Sequence, residues 1–306
     1  MTTAQTAITQ YVTASSGIRY AFRRLGPDAG VPLVMHIHYR ANMDLWDPLL
    51  LNTLAACRPV IIFDSKGVGR TDGLVPESYQ GWADAVIDLV AALGHKEIDL
   101  LGFSMGGRAV QLVPLTGPGL VRRLICAGTD AVYPPREQVP GTLWPREPGP
   151  PTHVKALSEA VSVDEGKRAL CYSFFYNNDH GQAEFDAYWK RVSERTAEPV
   201  NLKLLDKEGG GKRQWQAARD ALAPNPAYQF DKLSHIKIPV LVANGDDDLL
   251  IPSYRSWELY KTFENAQLIM YPKAGHGFLW QYAELFGHHV NRFLDGAEFD
   301  RCKSRL

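Results

Sequence analysis

Short, almost unbroken apolar runs alternate along the first 130 residues with longer segments whose apolar residues recur at helical spacing. An unbroken apolar run is typical of a strand that is buried on both faces. Such strands are predicted at residues 31–38, 60–64, 98–101 and 120–127. The segments between them predict helices at residues 44–56 and 78–93. Strands that alternate with helices predict a doubly wound, mostly parallel sheet.

The two ends of the chain complete this sheet. Alternating runs at residues 8–12 and 18–22 flank Ser15, Ser16 and Gly17, which predicts a β-hairpin at one sheet edge. Near the C-terminus the alternation of strand and helix returns. Strands are predicted at 239–244 and 267–271, and helices at 252–263 and 279–294. Together the runs predict an α/β fold with eight strands.

Between residues 131 and 230 the strand pattern is absent. A stretch rich in proline and glycine runs to Pro151, and helical periodicity follows it. Helices are predicted here at 154–161, 164–175, 182–197 and 214–221. The pattern therefore predicts an α/β core formed by residues 1–130 and 231–306, with an all-helical insertion formed by residues 131–230.

Composition narrows the class of protein. The chain has 306 residues, of which 45% are hydrophobic and 22% charged, and its formal net charge is −1. Neither nucleic acid nor an anionic membrane is therefore expected as a partner. The N-terminus has no basic segment followed by an apolar core, and no run is long enough to span a membrane, so a cytoplasmic protein is expected. The four cysteines form no Cys-x-x-Cys pair, and no metal or cofactor is expected.

One motif, Gly102-Phe103-Ser104-Met105-Gly106, stands between an apolar strand and a helical segment. In a tight strand-to-helix turn the serine takes a strained backbone conformation, so the flanking positions must lack side chains. The helix that begins there directs free N–H groups at an anion forming beside the serine. This spacing is typical of a nucleophile elbow, with Ser104 as nucleophile and the Met105 N–H as one oxyanion donor.

A serine hydroxyl needs a base to remove its proton, and the base needs a carboxylate to orient it. Candidates for both follow the last two predicted strands. Three aspartates, Asp246, Asp247 and Asp248, come directly after Gly245, and His276 lies between two glycines. Because the carboxyl ends of parallel strands share one edge of a sheet, we expect these groups to lie near the serine.

These motifs resemble those of the α/β-hydrolase superfamily over almost the whole chain, near its branch of cofactor-free haloperoxidases and esterases. The matching pieces are Gly102-Phe103-Ser104-Met105-Gly106, Gly245-x-x-Asp248-x-x-x-Pro252, Gly275-His276-Gly277 and Asp64-x-x-Gly67-x-Gly69-x-Thr71. The resemblance implies a triad of Ser104, Asp248 and His276, because the family's acid usually lies three residues after the glycine. Asp130 is an alternative acid, since some relatives carry it after the strand at 120–127.

The second oxyanion donor is expected in the loop after the strand at 31–38. The family commonly has His-Gly there, whereas this chain has His36-Ile37-His38-Tyr39-Arg40, with Tyr39 at the glycine position. The preferred alignment makes the Arg40 N–H the donor, and a shift of one residue makes it the Tyr39 N–H. For the Arg40 side chain, an ion pair with Asp44 or Asp47 is preferred over a role in binding a substrate carboxylate.

The resemblance also implies that the helical insertion is a cap over the serine. Its many aromatic residues favour an apolar acyl or aryl group in the substrate, although packing between cap helices accounts for most such rings. The candidate substrate-binding residues are Phe103, Trp144, Phe175 and Trp189.

The activity that the resemblance implies is hydrolysis of a carboxylic ester or lactone of a small apolar molecule, through an acyl-enzyme and without a cofactor. Hydrolysis of a C–C bond and a cofactor-free haloperoxidase reaction use the same triad and remain alternatives. A small-molecule receptor of this fold is a further hypothesis, and repeated turnover would distinguish an enzyme from it. We expect a monomer or a homodimer with a small-molecule substrate.

Overall fold

The computed structural model describes residues 2–131, 152–221 and 230–296. Eight strands form one sheet in the order β1-β2-β4-β3-β5-β6-β7-β8. They are β1 (Gln10–Thr13), β2 (Arg19–Leu25), β3 (Leu33–His36), β4 (Val60–Phe63), β5 (Ile98–Phe103), β6 (Val121–Ala127), β7 (Val240–Gly245) and β8 (Ala266–Tyr271). β2 pairs antiparallel with β1 and β4, and all other neighbours are parallel. The predicted sheet and its edge hairpin are therefore confirmed.

Helices flank the sheet and fill the insertion. They are α1 (Pro48–Ala55), α2 (Tyr79–Ala92), α3 (Met105–Val110), α4 (Val113–Thr116), α5 (Thr152–Glu159), α6 (Val163–Phe174), α7 (Asp179–Ser193), α8 (Lys212–Asp220), α9 (Ser253–Thr262), α10 (Phe278–Gln281) and α11 (Ala283–Leu294). Short 3-10 turns lie at Met43–Leu45 and Phe230–His235, and a π-helical turn lies at Lys207–Gly211. Across the described ranges, no helix combines the length and apolar character needed to cross a membrane.

Helices α5 to α8 lie between β6 and β7, so the predicted helical insertion is confirmed for its described residues, 152–221. We refer to it as the cap. Its predicted limits at residues 131 and 230 stay a prediction, because residues 132–151 and 222–229 lie outside the described residues.

The central strands explain the unbroken apolar runs. Every residue of β3, β4 and β5 is buried. Helices α1 and α11 pack against each other, and helices α2, α3 and α4 contact one another in a second group. A strand covered on both faces needs apolar side chains at consecutive positions, since successive side chains point to opposite faces.

The helix predicted at 44–56 begins later than expected. The Asn42 side chain first caps the 3-10 turn by accepting the Asp44 N–H. α1 then starts at Pro48, and the Asp47 carboxylate accepts the Leu49 N–H at 2.9 Å. Proline has no N–H to lose at the first helical position, and aspartate is a favourable N-cap, so this pair sets the start of the helix. The predicted start at residue 44 is therefore wrong.

The cap is fixed to the segment that follows β3. The Tyr188 hydroxyl of α7 donates to the Leu45 carbonyl at 2.9 Å. The Arg191 guanidinium, also from α7, donates to both oxygens of the buried Asp47 carboxylate, at 2.8 and 2.6 Å. Two charge-assisted bonds in parallel fix the orientation of both groups. The cap is therefore held against the segment that joins β3 to α1.

His36, the last residue of β3, is enclosed by aromatic rings. It stacks on Trp82 with ring centroids 5.7 Å apart, and its edge meets Phe63 at 5.4 Å. Its Nδ1 donates to the Ile37 carbonyl at 3.1 Å. Burial lowers the pKa of His36 to about 4, because the charged imidazolium would lose its hydration there.

This shift predicts a loss of stability in acid. Between pH 6.5 and 4 the unfolded chain binds a proton at His36 that the folded chain does not, so the free energy of unfolding falls as the pH falls. Replacing His36 with Phe keeps a flat ring but removes the titration. We expect the difference in unfolding free energy between pH 7 and pH 5 to shrink by about 2 kcal/mol. Urea denaturation at both pH values measures it, and an unchanged difference would contradict a buried neutral His36.

Candidate active site

Ser104 occupies the sharp turn between β5 and α3, with φ of 59° and ψ of −122°. Few residues with a side chain adopt a positive φ. The space around the turn explains the glycines of the motif. A Cβ on Gly102 would lie 2.4 Å from Val110 Cγ2, and a Cβ on Gly106 would lie 2.4 Å from the Ile37 carbonyl oxygen. The close approach of β5, α3 and the chain after β3 therefore requires glycine at both positions.

Neighbouring segments hold the strained serine in place. The Ser104 N–H donates to the Ala127 carbonyl at 2.9 Å, and the Ser104 carbonyl accepts the Arg108 N–H at 3.2 Å. The Thr129 hydroxyl donates to the same carbonyl at 2.9 Å. Strain at a single residue persists only where its surroundings fix the backbone, and here β6 and the loop after it do so.

Asp248 and His276 form a buried pair. His276 Nδ1 donates to Asp248 Oδ2 at 2.7 Å. The second oxygen, Oδ1, accepts the N–H groups of Leu250 and Ile251 at 2.8 and 2.9 Å. With its proton on Nδ1, a neutral imidazole presents a lone pair at Nε2. The carboxylate therefore holds the imidazole of His276 with Nε2 free to accept a proton.

His276 Nε2 makes no hydrogen bond to any of the residues that the structure describes, the Ser104 hydroxyl included. The residue that precedes the serine does contact the histidine. The ring of Phe103, which precedes the serine, lies 5.0 Å from the His276 ring. Hydrogen bonds between a nucleophile and its base are often long before substrate binds and form in the reacting complex.

The alternative acids have other partners. Asp130 accepts from Arg108 Nε at 2.7 Å, and Asp246 accepts the Ala274 N–H at 3.3 Å. The structure thus brings Asp248, rather than Asp130, to the imidazole of His276.

The chain after β3 is next to the elbow, as the contact between Gly106 and Ile37 shows. We call residues 37–42, where the second oxyanion donor is expected, the oxyanion loop. Met105 is the first residue of α3, so its N–H has no acceptor within the helix. The Arg40 N–H donates to Gln214 Oε1 of the cap at 2.7 Å. The Tyr39 N–H, in contrast, donates to no acceptor within the described ranges.

The Arg40 side chain makes neither of the expected ion pairs. Asp44 pairs with Arg23 at 2.6 Å and with Arg70 at 3.0 Å, and Asp47 pairs with Arg191. The preferred ion pair of Arg40 with Asp44 or Asp47 is therefore wrong. Its guanidinium is buried and donates instead to backbone carbonyl groups of the cap. Nothing in the residue types predicts this, because carbonyl acceptors are the same in every residue.

The candidate substrate-binding residues take different places. Phe103 is buried against His276. Phe175 is buried between Phe185 and Tyr188 of α7. Trp189 packs on Phe185 at 6.0 Å and carries the Lys167 ammonium over its ring, so it has the contacts of a residue that packs cap helices. Trp144 lies outside the described residues.

Phe174 also lies at the site, although it is not among the residues predicted there. Its ring meets the His276 ring edge-on at 4.8 Å, and its carbonyl accepts the Gly277 N–H at 2.6 Å. A Cβ on Gly275 would lie 2.7 Å from the same carbonyl oxygen. The glycines around His276 therefore give the cap room to reach the histidine. In the sequence, the spacing of Gly275 and Gly277 around His276 is the feature that indicates such a close contact.

His38 lies beside His276 and is also buried. Its Nδ1 donates to the Tyr39 carbonyl at 3.0 Å, and its ring lies 4.9 Å from Phe174 and 5.4 Å from Trp280. Burial, with a smaller effect of His276, lowers the pKa of His38 to about 3, so the ring is neutral at physiological pH. Within residues 2–131, 152–221 and 230–296, no cluster of three His, Cys, Asp or Glu side chains could hold a metal ion.

Known proteins share this architecture. The α/β-hydrolase fold family model matches residues 32–283. The chain is 27% identical to a non-heme haloperoxidase from Rhodococcus erythropolis over 303 residues, which cover 93% of this chain and 99% of that protein. It is 25% identical to a putative carbamate hydrolase, RutD, from Caulobacter sp. (strain K31) over 260 residues, which cover 82% of this chain and 85% of that protein.

A solved structure agrees with these relatives. An alpha/beta hydrolase fold protein from Chitinophaga pinensis superposes with a TM-score of 0.79 and 30% sequence identity. The match covers 95% of this chain and 98% of that protein. The strand order, the elbow at Ser104 and these matches lead to one conclusion: the chain belongs to the α/β-hydrolase family.

Proposed function

We propose that the protein is a serine hydrolase that cleaves a carboxylic ester or lactone of a small apolar substrate. The observation that carries the proposal is the buried pair of Asp248 and His276, which lies beside the elbow of Ser104. The Nε2 atom of His276 has no hydrogen-bond partner among the described residues. A base that is oriented but unengaged, next to a strained serine, is suited to activating that hydroxyl.

In the first half of the reaction, His276 Nε2 takes the Ser104 hydroxyl proton as Oγ attacks the substrate carbonyl carbon. The tetrahedral intermediate then collapses, and the protonated His276 gives its proton to the departing alcohol oxygen. An acyl-enzyme on Ser104 remains. In the second half His276 takes a proton from water, the hydroxide attacks the acyl carbon, and the acid leaves as Ser104 regains its proton.

The oxyanion forms beside the first turn of α3, where the Met105 N–H is one donor. For the second donor, the alignment favours the Arg40 N–H. Its bond to Gln214 in this conformation favours the Tyr39 N–H instead, which has no acceptor within the described residues. We therefore propose Met105 and Tyr39 as the oxyanion hole.

The surroundings of His276 favour an apolar substrate. The rings of Phe103 and Phe174 lie 5.0 and 4.8 Å from the imidazole, and both side chains are buried. Aromatic walls exclude water and bind acyl or aryl groups through apolar contact.

The similarity to a non-heme haloperoxidase supports a second candidate, in which hydrogen peroxide replaces water as the attacking group. The acyl group on Ser104 would then leave as a peracid. Both reactions proceed through the same acyl-enzyme and the same triad. Formation of a peracid from acetate and hydrogen peroxide would therefore distinguish the peroxide reaction from hydrolysis, but it would not test the triad. A small-molecule receptor would instead cleave at most one substrate molecule per protein molecule, and slowly.

Replacing Ser104 with Ala removes the nucleophile but none of the hydrogen bonds of its backbone. We expect turnover of p-nitrophenyl acetate to fall by at least about 10³-fold, because the acyl-enzyme cannot form. Release of p-nitrophenol under multiple-turnover conditions measures the rate, and circular dichroism checks the fold. Undiminished turnover in the folded variant would refute the mechanism.

The two candidate acids can be separated by a matched pair of variants. Asp248→Asn removes the charge that orients His276 Nδ1, so we expect kcat to fall by about 10³- to 10⁴-fold. Asp130→Asn changes a carboxylate that contacts Arg108, and kcat per folded molecule should stay within about tenfold of the wild type. Thermal unfolding of both variants gives the folded fraction. The reverse order of the two losses would assign the acid to Asp130.

A further inference from the structure

The oxyanion loop is held in shape by the cap. The peptide between Tyr39 and Arg40 is fixed at both of its polar groups. Its carbonyl accepts from His38 Nδ1 at 3.0 Å, and its N–H donates to Gln214 Oε1 at 2.7 Å. Gln214 is a buried residue of α8, so one of these two partners belongs to the cap.

The next peptide, between Arg40 and Ala41, is fixed in the same manner. Its carbonyl accepts the Leu205 N–H of the cap at 2.7 Å, and its N–H donates to the His38 carbonyl at 3.2 Å. The two peptides on either side of Arg40 therefore have four hydrogen bonds, two from the oxyanion loop itself and two from the cap.

The Arg40 side chain extends this contact. Nε donates to the Leu205 carbonyl at 2.6 Å, and Nη1 donates to the carbonyls of Leu157 and Ser158 at 2.8 and 2.9 Å. Nη2 donates to the Ala160 carbonyl at 2.8 Å. A buried cation is stable only when its donors are satisfied, and the negative end of the α5 dipole adds to the attraction.

The backbone of Arg40 is strained, with φ of 60°. A residue with a side chain keeps such a conformation where the structure around it enforces it. The enforcing groups here are those just named, and they belong mostly to the cap. Without them the loop would relax to an ordinary conformation and turn the Tyr39–Arg40 peptide, which adjoins the peptide that carries the Tyr39 N–H.

We infer that Gln214 and Arg40 are positioning residues through which the cap holds the Tyr39 N–H in its orientation as an oxyanion donor. The inference rests on the proposed hydrolase function. It makes the cap part of the catalytic geometry in addition to covering the site. The attachment of the cap does not depend on Gln214, because Tyr188 and Arg191 bind Leu45 and Asp47 independently.

The test compares three variants with p-nitrophenyl acetate as substrate. Gln214→Met keeps the size of the side chain and removes the acceptor, so the Arg40 peptide loses its bond to the cap. An oxyanion donor acts in the transition state rather than in substrate binding, so we expect kcat to fall by about tenfold or more while KM changes by less than about twofold.

Two further variants separate positioning from a general loosening of the cap. Gln214→Glu keeps an acceptor for the Arg40 N–H and should recover most of the lost kcat. Tyr188→Phe removes a hydrogen bond of similar length between cap and core but leaves the Arg40 peptides untouched, so kcat should stay within about twofold of the wild type. The melting temperatures of all three variants are recorded alongside.

The outcomes are distinct. Equal losses of kcat in Gln214→Met and Tyr188→Phe, or an unchanged kcat in Gln214→Met, would overturn the inference and leave the hydrolase function standing. A rise in kcat in Gln214→Met would also overturn it, since the freed Arg40 N–H would then be the donor that Gln214 blocks. If the wild-type protein shows no turnover that depends on Ser104, both proposals are overturned.

Discussion

The site depends on one constraint, the parallel pairing of β5 with β6, β6 with β7 and β7 with β8. Parallel strands end at a common edge, so the loops after them meet there whatever their separation in sequence. Ser104 follows β5, Asp248 follows β7 and His276 follows β8. The loop after β6 contributes Thr129, whose hydroxyl holds the Ser104 carbonyl. Four consecutive strands thus each supply one part of the arrangement.

The His276 imidazole is buried beside the rings of Phe103 and Phe174 and the carboxylate of Asp248. Asp248 is the carboxylate that contacts His276, and its second oxygen is occupied by backbone N–H groups. The adjacent His38 has a pKa of about 3 because of its burial, so it adds no positive charge beside His276 at neutral pH. The attraction within a buried charged pair is stronger than in water, which favours an imidazolium that is formed during a reaction.

The cap reaches this arrangement from two sides. Phe174 meets His276 and binds the backbone of Gly277, whereas Gln214 and Leu205 bind the peptides around Arg40. The contact at His276 needs space that larger residues would fill, as the glycines on either side of it show. The cap therefore touches the loop that carries the base and the loop proposed to carry an oxyanion donor. A substrate that displaced the cap would disturb both loops at once.

Local patterns in the sequence determined the eight-stranded sheet, the helical insertion and the family, because a strand buried on both faces and a glycine-flanked serine each impose their own residue types. They did not determine the start of α1, where Asp47 and Pro48 outweighed the apolar periodicity. The partners of Arg40 were decided by the tertiary structure alone. Carbonyl groups carry no sequence signature, and the cap brings those of Leu157, Ser158, Ala160 and Leu205 to the guanidinium only when the chain is folded.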